Sequence, residues 1–504
     1  MNSSPRSTND ESTTAVRQSA PSGAPSLPPG FTVLLDARTK VLDDGAALLG
    51  GAPTTRLLRL TPRARALLDG RRVLRVTEKE RASAVLADRL LDLGLAHPVA
   101  DRLPTAPDTR CTYVIPVRDR PQQLNRLLAC IPQDSGEVIV VDDASHDRAA
   151  VEAVAARHGA RLIPLPRNVG PAGARNAGLR HVRTPFVVFV DSDIVLNEAT
   201  VPTLLRHFSD PRVGVAVPRI TGLHSPGSGG LTWIGRYEHA RSSLDLGERP
   251  ALVHPGSFVS WASTACVVAR TECLGDGFDE RMRVGEDVDL GWRVIERGWR
   301  MRYEPQATAA HEHRTDFRDW LTRKAFYGTG AHPLAERHPQ AIAPAVLVPW
   351  STVAVGALLA QRKWSLPVAA AACAVTTIRI ARRLDGTKRP LRTGAQLTAN
   401  GAVAAASQAG ALLTRHWWPA TAVGCLVSRR VRRAAAVAAV VDVALEYRPS
   451  KAAGLDPLRY GVARRLDDLA YGAGVWLSAV RGRSVAPLRP RLLWNRRSGR
   501  AAEK

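Results

Sequence analysis

The sequence has little cysteine, and what it has is dispersed: Cys111, Cys130, Cys266, Cys273, Cys373 and Cys425 show no CxxC spacing. That argues against a disulfide framework or a structural zinc site and fits reduced thiols in a cytoplasmic setting. Aromatic residues make up only 5% of the chain. With no helix-turn-helix or zinc-finger spacing either, nucleic acid ranks below other acidic partners. Acidic residues are scarce beside basic ones, 46 Asp+Glu against 70 Lys+Arg, a net charge of +24 over 504 residues. A surplus of that sign asks for an anionic partner, here anionic lipid or a phosphorylated substrate. No apolar leader opens the chain; the first stretch is polar and rich in Ser, Thr and Pro, so no signal peptide is expected.

What is present divides into four parts. Residues 1–28 are too polar to offset the entropy of ordering and are expected to form a disordered tail. Residues 29–104 carry their own punctuation. Phe31-Thr32-Val33-Leu34-Leu35-Asp36 predicts a strand and Gly50-Gly51-Ala52-Pro53 a turn. Thr61-Pro62 predicts a helix with Thr61 as N-cap, ending at Asp69-Gly70. Thr77 and Glu80 have capping-box spacing ahead of a second helix ending at Leu93-Gly94. A strand, short helices and a leucine-rich closing helix predict a winged-helix-like module. Residues 108–338 read as α/β, and residues 339–504 as helical.

The α/β part carries the chemistry. Thr112–Val117, Glu137–Val141, Arg161–Leu165 and Phe186–Val190 are apolar, β-rich runs separated by helical stretches, which predicts a parallel sheet with helices on both faces. Ligands of such sheets sit beyond the carboxyl ends of the strands. Pro116, Asp142, Asp143 and Asp191 all fall there. Asp191-Ser192-Asp193 puts two carboxylates at the tip of a buried strand, costly to leave unpaired and well suited to a divalent cation, Mg²⁺ or Mn²⁺. Such an ion completes its shell with water and phosphate oxygens, so a nucleotide diphosphate is the natural partner.

Ile115-Pro116-Val117-Arg118, Val140-Val141-Asp142-Asp143-Ala144-Ser145, the Asn168–Gly178 stretch, Asp191-Ser192-Asp193 and Gly285-Glu286-Asp287 resemble, in order and spacing, the family 2 glycosyltransferases with the GT-A fold. The resemblance covers about half of the chain. It implies a UDP-sugar donor, with Pro116, Asp143, Arg175 and Asp191 at the nucleotide, Asp143 reading the uracil and Asp142 either helping or capping its turn. It implies a cation on Asp191, Asp193 and His311, for which His313 competes. Arg175 is expected to offer a fixed cation to uracil or a phosphate oxygen, a surface position being the alternative. Asp287 is the expected catalytic base, Trp261 lies toward the acceptor, Glu286 either orients the acceptor or caps the helix expected over Asp289–Val294, and one displacement inverts the anomeric centre. Trp261 as core packing fits equally well. Trp320-Leu321-Thr322-Arg323-Lys324 departs from the QxxRW pattern of processive members, which favours stepwise addition of a short chain.

The unit ahead of this domain is similar to small peptide-binding modules of ribosomal-peptide maturation, through Leu60 to Gly70 and Leu93-Gly94-Leu95. A structural cap is the competing reading. The pairing of module and transferase resembles the glycosyltransferase family of mycofactocin biosynthesis, which implies glucose chain building on a peptide-derived redox cofactor precursor. Beyond residue 339, the uncharged run 339–361 is long enough for a bilayer core of about 30 Å, and Leu366–Ile378 could return as a hairpin arm. Basic clusters at Arg379–Arg392 and Arg429–Arg433 favour the cytoplasmic side of a cell membrane. Alanine dominates here, so a soluble helical bundle is the alternative reading.

Overall fold

The computed structural model describes residues 26–68, 70, 72–223, 232–312, 316–447 and 454–493. Most of the expected N-terminal tail, and His313, lie outside them. Leu27, placed in that tail, is buried in the core of the first unit.

The first unit runs β1 (Thr32–Leu35), β2 (Lys40–Leu42), β3 (Ala47–Gly50), β4 (Arg56–Arg59), α1 (Pro62–Leu67), β5 (Val73–Arg75), α2 (Arg81–Asp92) and β6 (Ala96–Pro98). β1 pairs antiparallel with both β5 and β6, and α2 covers that sheet with Leu86, Leu90 and Leu91. Thr61 caps α1 as expected, accepting the Ala64 N–H. The capping box expected at Thr77 and Glu80 does not form: α2 starts at Arg81, and Glu80 makes no side-chain cap. Ser83 takes that role, its Oγ accepting the Thr77 N–H and donating to the Glu80 carbonyl. The β2-β3-β4 meander was not expected; its strands are too short for an alternation signal.

The α/β domain runs β7 (Cys111–Val117), α3 (Pro121–Leu128), β8 (Glu137–Asp142), α4 (Arg148–Arg157), β9 (Arg161–Pro164), α5 (Gly170–Leu179), β10 (Phe186–Val190), β11 (Ile194–Leu196), α6 (Thr200–Arg206), β12 (Val213–Gly222), α7 (Trp233–Arg241), β13 (Ala251–Val253), β14 (Cys266–Arg270), α8 (Glu286–Glu296), β15 (Arg300–His311), α9 (Phe317–Gly328) and α10 (Ala331–Arg337). Its sheet has the order β11-β15-β12-β14-β10-β7-β8-β9, with β13 on β15. The four strands predicted to be parallel are so. The rest of the sheet corrects the expectation of a parallel sheet: β14 is antiparallel to β10 and β12, and β11 to β15. The sequence signal stops at β10 because the later strands lack regular helical spacers. β10 is buried on both faces, as its continuous apolar run requires.

The C-terminal region starts with β16 (Val346–Leu347), then α11 (Pro349–Ala360), α12 (Ser365–Arg383), α13 (Pro390–Ala411), a π-helical turn at Leu412–His416, α14 (Trp418–Val427), α15 (Arg429–Glu446), α16 (Pro457–Arg481) and β17 (Arg491–Leu492). The run 339–361 is not one helix. Its first part forms loop and β16, and Pro349 opens a helix of 12 residues, about 18 Å long and too short for a bilayer core. Among the described residues only α12 is long and apolar enough to cross a membrane.

Candidate active site

The chain passes from β7 to β8 to β9 on one side and returns to β10 on the other, so the strand order reverses between β7 and β10. A crevice opens at such a reversal, beyond the strand ends. One cavity of about 1440 Å³ lies there, lined by Pro116, Asp143, Arg175, Asp191, Asp193, Trp261, Glu286 and Asp287. Those side chains come from points up to 171 positions apart (287 − 116).

Each wall has a local cause. Asp143 follows β8 directly, and its two carboxylate oxygens accept the Val169 and Gly170 N–H groups at 2.7 and 2.9 Å. It thus fixes the N-terminus of α5, where Gly170 has φ +82°, a conformation open to glycine. Gly178 serves packing: a Cβ there would lie 2.4 Å from Val114. Asp142 is fully buried and caps its own turn, accepting the Ser145 N–H at 3.0 Å.

Arg175 stands differently from its sequence expectation. Its guanidinium is buried and bound to Asp191 at 2.6 Å and Glu286 at 3.1 Å, so its charge holds two carboxylates in place. β11 pairs with β15 so that Ile194 faces His311, which puts His311 Nε2 3.6 Å from Asp193 Oδ2. Arg120 donates to the same oxygen, a contact that sequence reading missed and that only the position of the loop after β7 reveals. Burial pushes the Asp193 carboxyl up, but the His311 contact and the His311 and Arg120 charges outweigh it and hold the group well below the usual carboxylate range. A carboxylate and an imidazole so placed suit a Mg²⁺ or Mn²⁺ ion that draws other ligands from phosphate and water. Among the described residues no cage of three or more His, Cys, Asp or Glu ligands exists, so the protein supplies at most part of such a shell.

Gly285, at φ +81°, caps α8, and a Cβ there would lie 2.9 Å from Leu334. Glu286 and Asp287 occupy the first turn of α8, where the helix dipole favours negative charge. Burial nevertheless raises both: Glu286 to about 7, helped by Asp287 and opposed by Arg175, and Asp287 upward against Arg175 and the Val288 N–H. Asp289, in the same first turn, is structural, bound to Arg293, Arg337 and His338.

The arrangement is that of a cleft bordered by the ends of β7, β8 and β10 and by a carboxylate pair of raised proton affinity. The family model for glycosyl transferase family 2 matches residues 112–245, and that for glycosyl transferase family group 2 matches residues 186–382. The pre-mycofactocin glycosyltransferase of Mycobacterium tuberculosis is 44% identical over 484 residues, covering 92% of this chain and 98% of the relative. The chain belongs to the pre-mycofactocin glycosyltransferase family. It is a family 2 glycosyltransferase with the GT-A fold, and the enzyme adds to that fold its own N-terminal unit and C-terminal helices. An N-acetylglucosaminyltransferase of Rhizobium sp. is 29% identical over 34% of this chain and 40% of its own length. Among solved structures, a mannosyltransferase from Pyrobaculum calidifontis in complex with GDP-Man and Mn²⁺ aligns with a TM-score of 0.36 and 22% identity, over 61% of this chain and 89% of that one.

Beyond the residues singled out from sequence, the cavity continues to Tyr327, Arg415, Arg464 and Tyr471 on α9 and the C-terminal region, positions that no local motif marks, and it also takes in Arg323.

Proposed function

We propose that the enzyme is an inverting, metal-dependent transferase that moves glucose from UDP-glucose to a peptide-derived redox cofactor precursor in mycofactocin biosynthesis, forming a β-linkage at the cytoplasmic face of the cell membrane. The observation that carries the reading is the convergence of Asp143, Asp191, Asp193, Glu286 and Asp287 on one cavity. The name of the 44% identical relative supports the biosynthetic setting.

In this reading Pro116, Asp143 and Asp191 border the nucleotide, and Asp191, Asp193 and His311 would hold a Mg²⁺ or Mn²⁺ ion, which would supply stabilisation of the negative charge that develops on the diphosphate. The acceptor oxygen forms a bond to the anomeric carbon as the carbon–oxygen bond to the diphosphate breaks, and Asp287 takes the hydroxyl proton. A raised proton affinity suits that task, because it brings the base closer to neutral pH. Arg175 keeps Asp191 and Glu286 oriented, while Glu286 and Trp261 face the acceptor.

Asp287→Asn should lower transfer by roughly 10²- to 10⁴-fold while UDP binding by calorimetry persists. Retained turnover would remove Asp287 from the chemistry. NMR of the product reads the anomeric configuration, and an α-linkage from UDP-glucose would exclude inversion.

Membrane attachment draws support from Leu366, Val423, Leu426 and Val427, apolar and largely exposed, and from the arginines that close α12 and open α15. The same surface favours a second reading, a lipid or cell-wall glycan acceptor. Mass spectrometry of the enzyme with UDP-glucose and each acceptor class decides between them.

A further inference from the structure

The turn from α11 to α12 and the turn from α14 to α15 lie side by side. Gln361 Nε2 donates to the Arg430 carbonyl oxygen at 2.7 Å, across 69 positions of sequence. α14 folds back closely on α15, so that a Cβ on Gly424 would lie 3.1 Å from the Val431 side chain. Both turns are apolar at their tips and open to solvent. Leu426 and Val427 are 82% and 84% exposed, Leu366 is 73% exposed and Trp364 about half. Apolar side chains left bare together in this way mark an interaction surface.

Cations flank the same tips. Arg362, Lys363, Arg429, Arg430, Arg432 and Arg433 are all exposed. Residues 361–441 hold 13 Lys and Arg against one acidic residue, Asp385, so the surface asks for an anionic partner. The next carboxylate along the chain, Asp442, is bound to Arg464 and Arg465. An apolar tip between exposed cations matches an anionic bilayer surface, which takes the apolar groups at its acyl boundary and the cations at its headgroups.

The far ends of these helices are tied to the body of the enzyme. The 19 residues of α12 run about 28 Å from the tip to a turn that the N-terminal unit holds. There the Lys388 N–H donates to Asp43 at 2.8 Å, the Lys388 ammonium binds Asp44, and Arg59 donates to the Asp385 carbonyl oxygen at 2.7 Å. α15 ends at Glu446, which binds Arg241 of α7. With both returning helices anchored on the folded body, neither can carry its far end through a bilayer core of about 30 Å.

We propose that the two turns form one shallow membrane wedge: Trp364, Leu366, Leu426 and Val427 enter the headgroup boundary of a bilayer rich in anionic lipid, the flanking Arg and Lys bind its headgroups, and none of the described helices crosses. The inference rests on the membrane attachment proposed above and deepens it, naming the lipid, the inserted residues and the depth.

The test floats the full chain with vesicles of phosphatidylcholine alone and of phosphatidylcholine mixed with phosphatidylglycerol. Binding should require the anionic lipid and weaken as salt rises. Arg429→Gln together with Arg430→Gln should lower the affinity by about thirtyfold, and Leu426→Ser together with Val427→Ser by at least about tenfold. Should that apolar pair fail to fold, Trp364→Gln with Leu366→Ser on the other turn is read in the same way. Bound protein should leave the vesicles in alkaline carbonate. Binding that is equal on phosphatidylcholine alone, that ignores these substitutions, or that resists carbonate as a spanning helix does overturns the wedge and leaves membrane attachment standing. Absence of vesicle binding by the wild type removes both, and self-association that Leu426→Ser with Val427→Ser abolishes would then assign the tips to a second copy of the chain.

Discussion

Two buried arginines hold the molecule together at different places, and their surroundings differ in one respect. Arg300, 3% exposed, binds Asp88 and Asp92 of α2 and Asp210 of the catalytic domain, with Arg212 reaching Asp88 and Asp92 as well. Those three carboxylates face Arg300 and Arg212 with the buried Arg302 beside them, and although burial pushes Asp92 up, Arg300 and Arg212 hold it below its ordinary range. In the cleft, Asp191, Glu286 and Asp287 share Arg175, and Glu286 and Asp287 are pushed up. Charge is close to balanced where the task is docking the N-terminal unit. It is left in surplus where a cation and a proton transfer would use it.

Removing either arginine should be costly, and the two losses should differ in kind. Arg300→Met leaves Asp210, 1% exposed, without its partner, and a loss of about 3–5 kcal/mol is expected. Chemical denaturation measures it, and the N-terminal unit should become protease-sensitive ahead of the catalytic domain. Arg175→Met should destabilise less than its burial suggests if Glu286 takes up a proton, and adding Glu286→Gln should recover part of the loss. No recovery in that double variant would break the comparison.

The pH dependence should run in opposite directions at the two places. A carboxyl with raised folded pKa binds more protons folded than unfolded, so its contribution falls as pH rises from the unfolded value through the folded one. Glu286→Gln should therefore raise the melting temperature more at pH 8 than at pH 5. Asp92 has a lowered folded pKa, and its contribution is present above the unfolded value and lost as pH falls. Asp92→Asn should cost up to about 1 kcal/mol at pH 8 and progressively less toward pH 3.

The smallest expected effect is at His338, whose ring lies 2.9 Å from Asp289 and 3.1 Å from Glu296. Burial pulls its pKa down, but these carboxylates outweigh it and raise the pKa above the ordinary value. Its contribution is complete below the unfolded value and lost as pH rises through the raised one. His338→Gln should flatten the stability profile near neutrality by about 1 kcal/mol or less.

The gathering of Asp143 and Asp191 in one cleft was legible because both residues follow strands. Asp143 and Asp191 each end an apolar run, and a run's end in a parallel sheet is also a place in the cleft. His311 could be named only by resemblance, since its approach to Asp193 depends on β11 pairing with β15. Arg175 was found but its partners were not, because Glu286 lies 111 positions away. The apolar run 339–361 misled, as hydropathy does not register that Pro349 starts a helix anew.

Local patterning along the polypeptide was enough to specify the parallel half-sheet and its acidic strand ends, since each depends on neighbours within a few residues. The mixed half of the sheet, the docking through Arg300 and the close crossing of α9 and α16 at Gly328 and Gly474 arose from packing between distant segments. Contacts of that range are set by shape and charge pairing across surfaces, which no short window of residues contains.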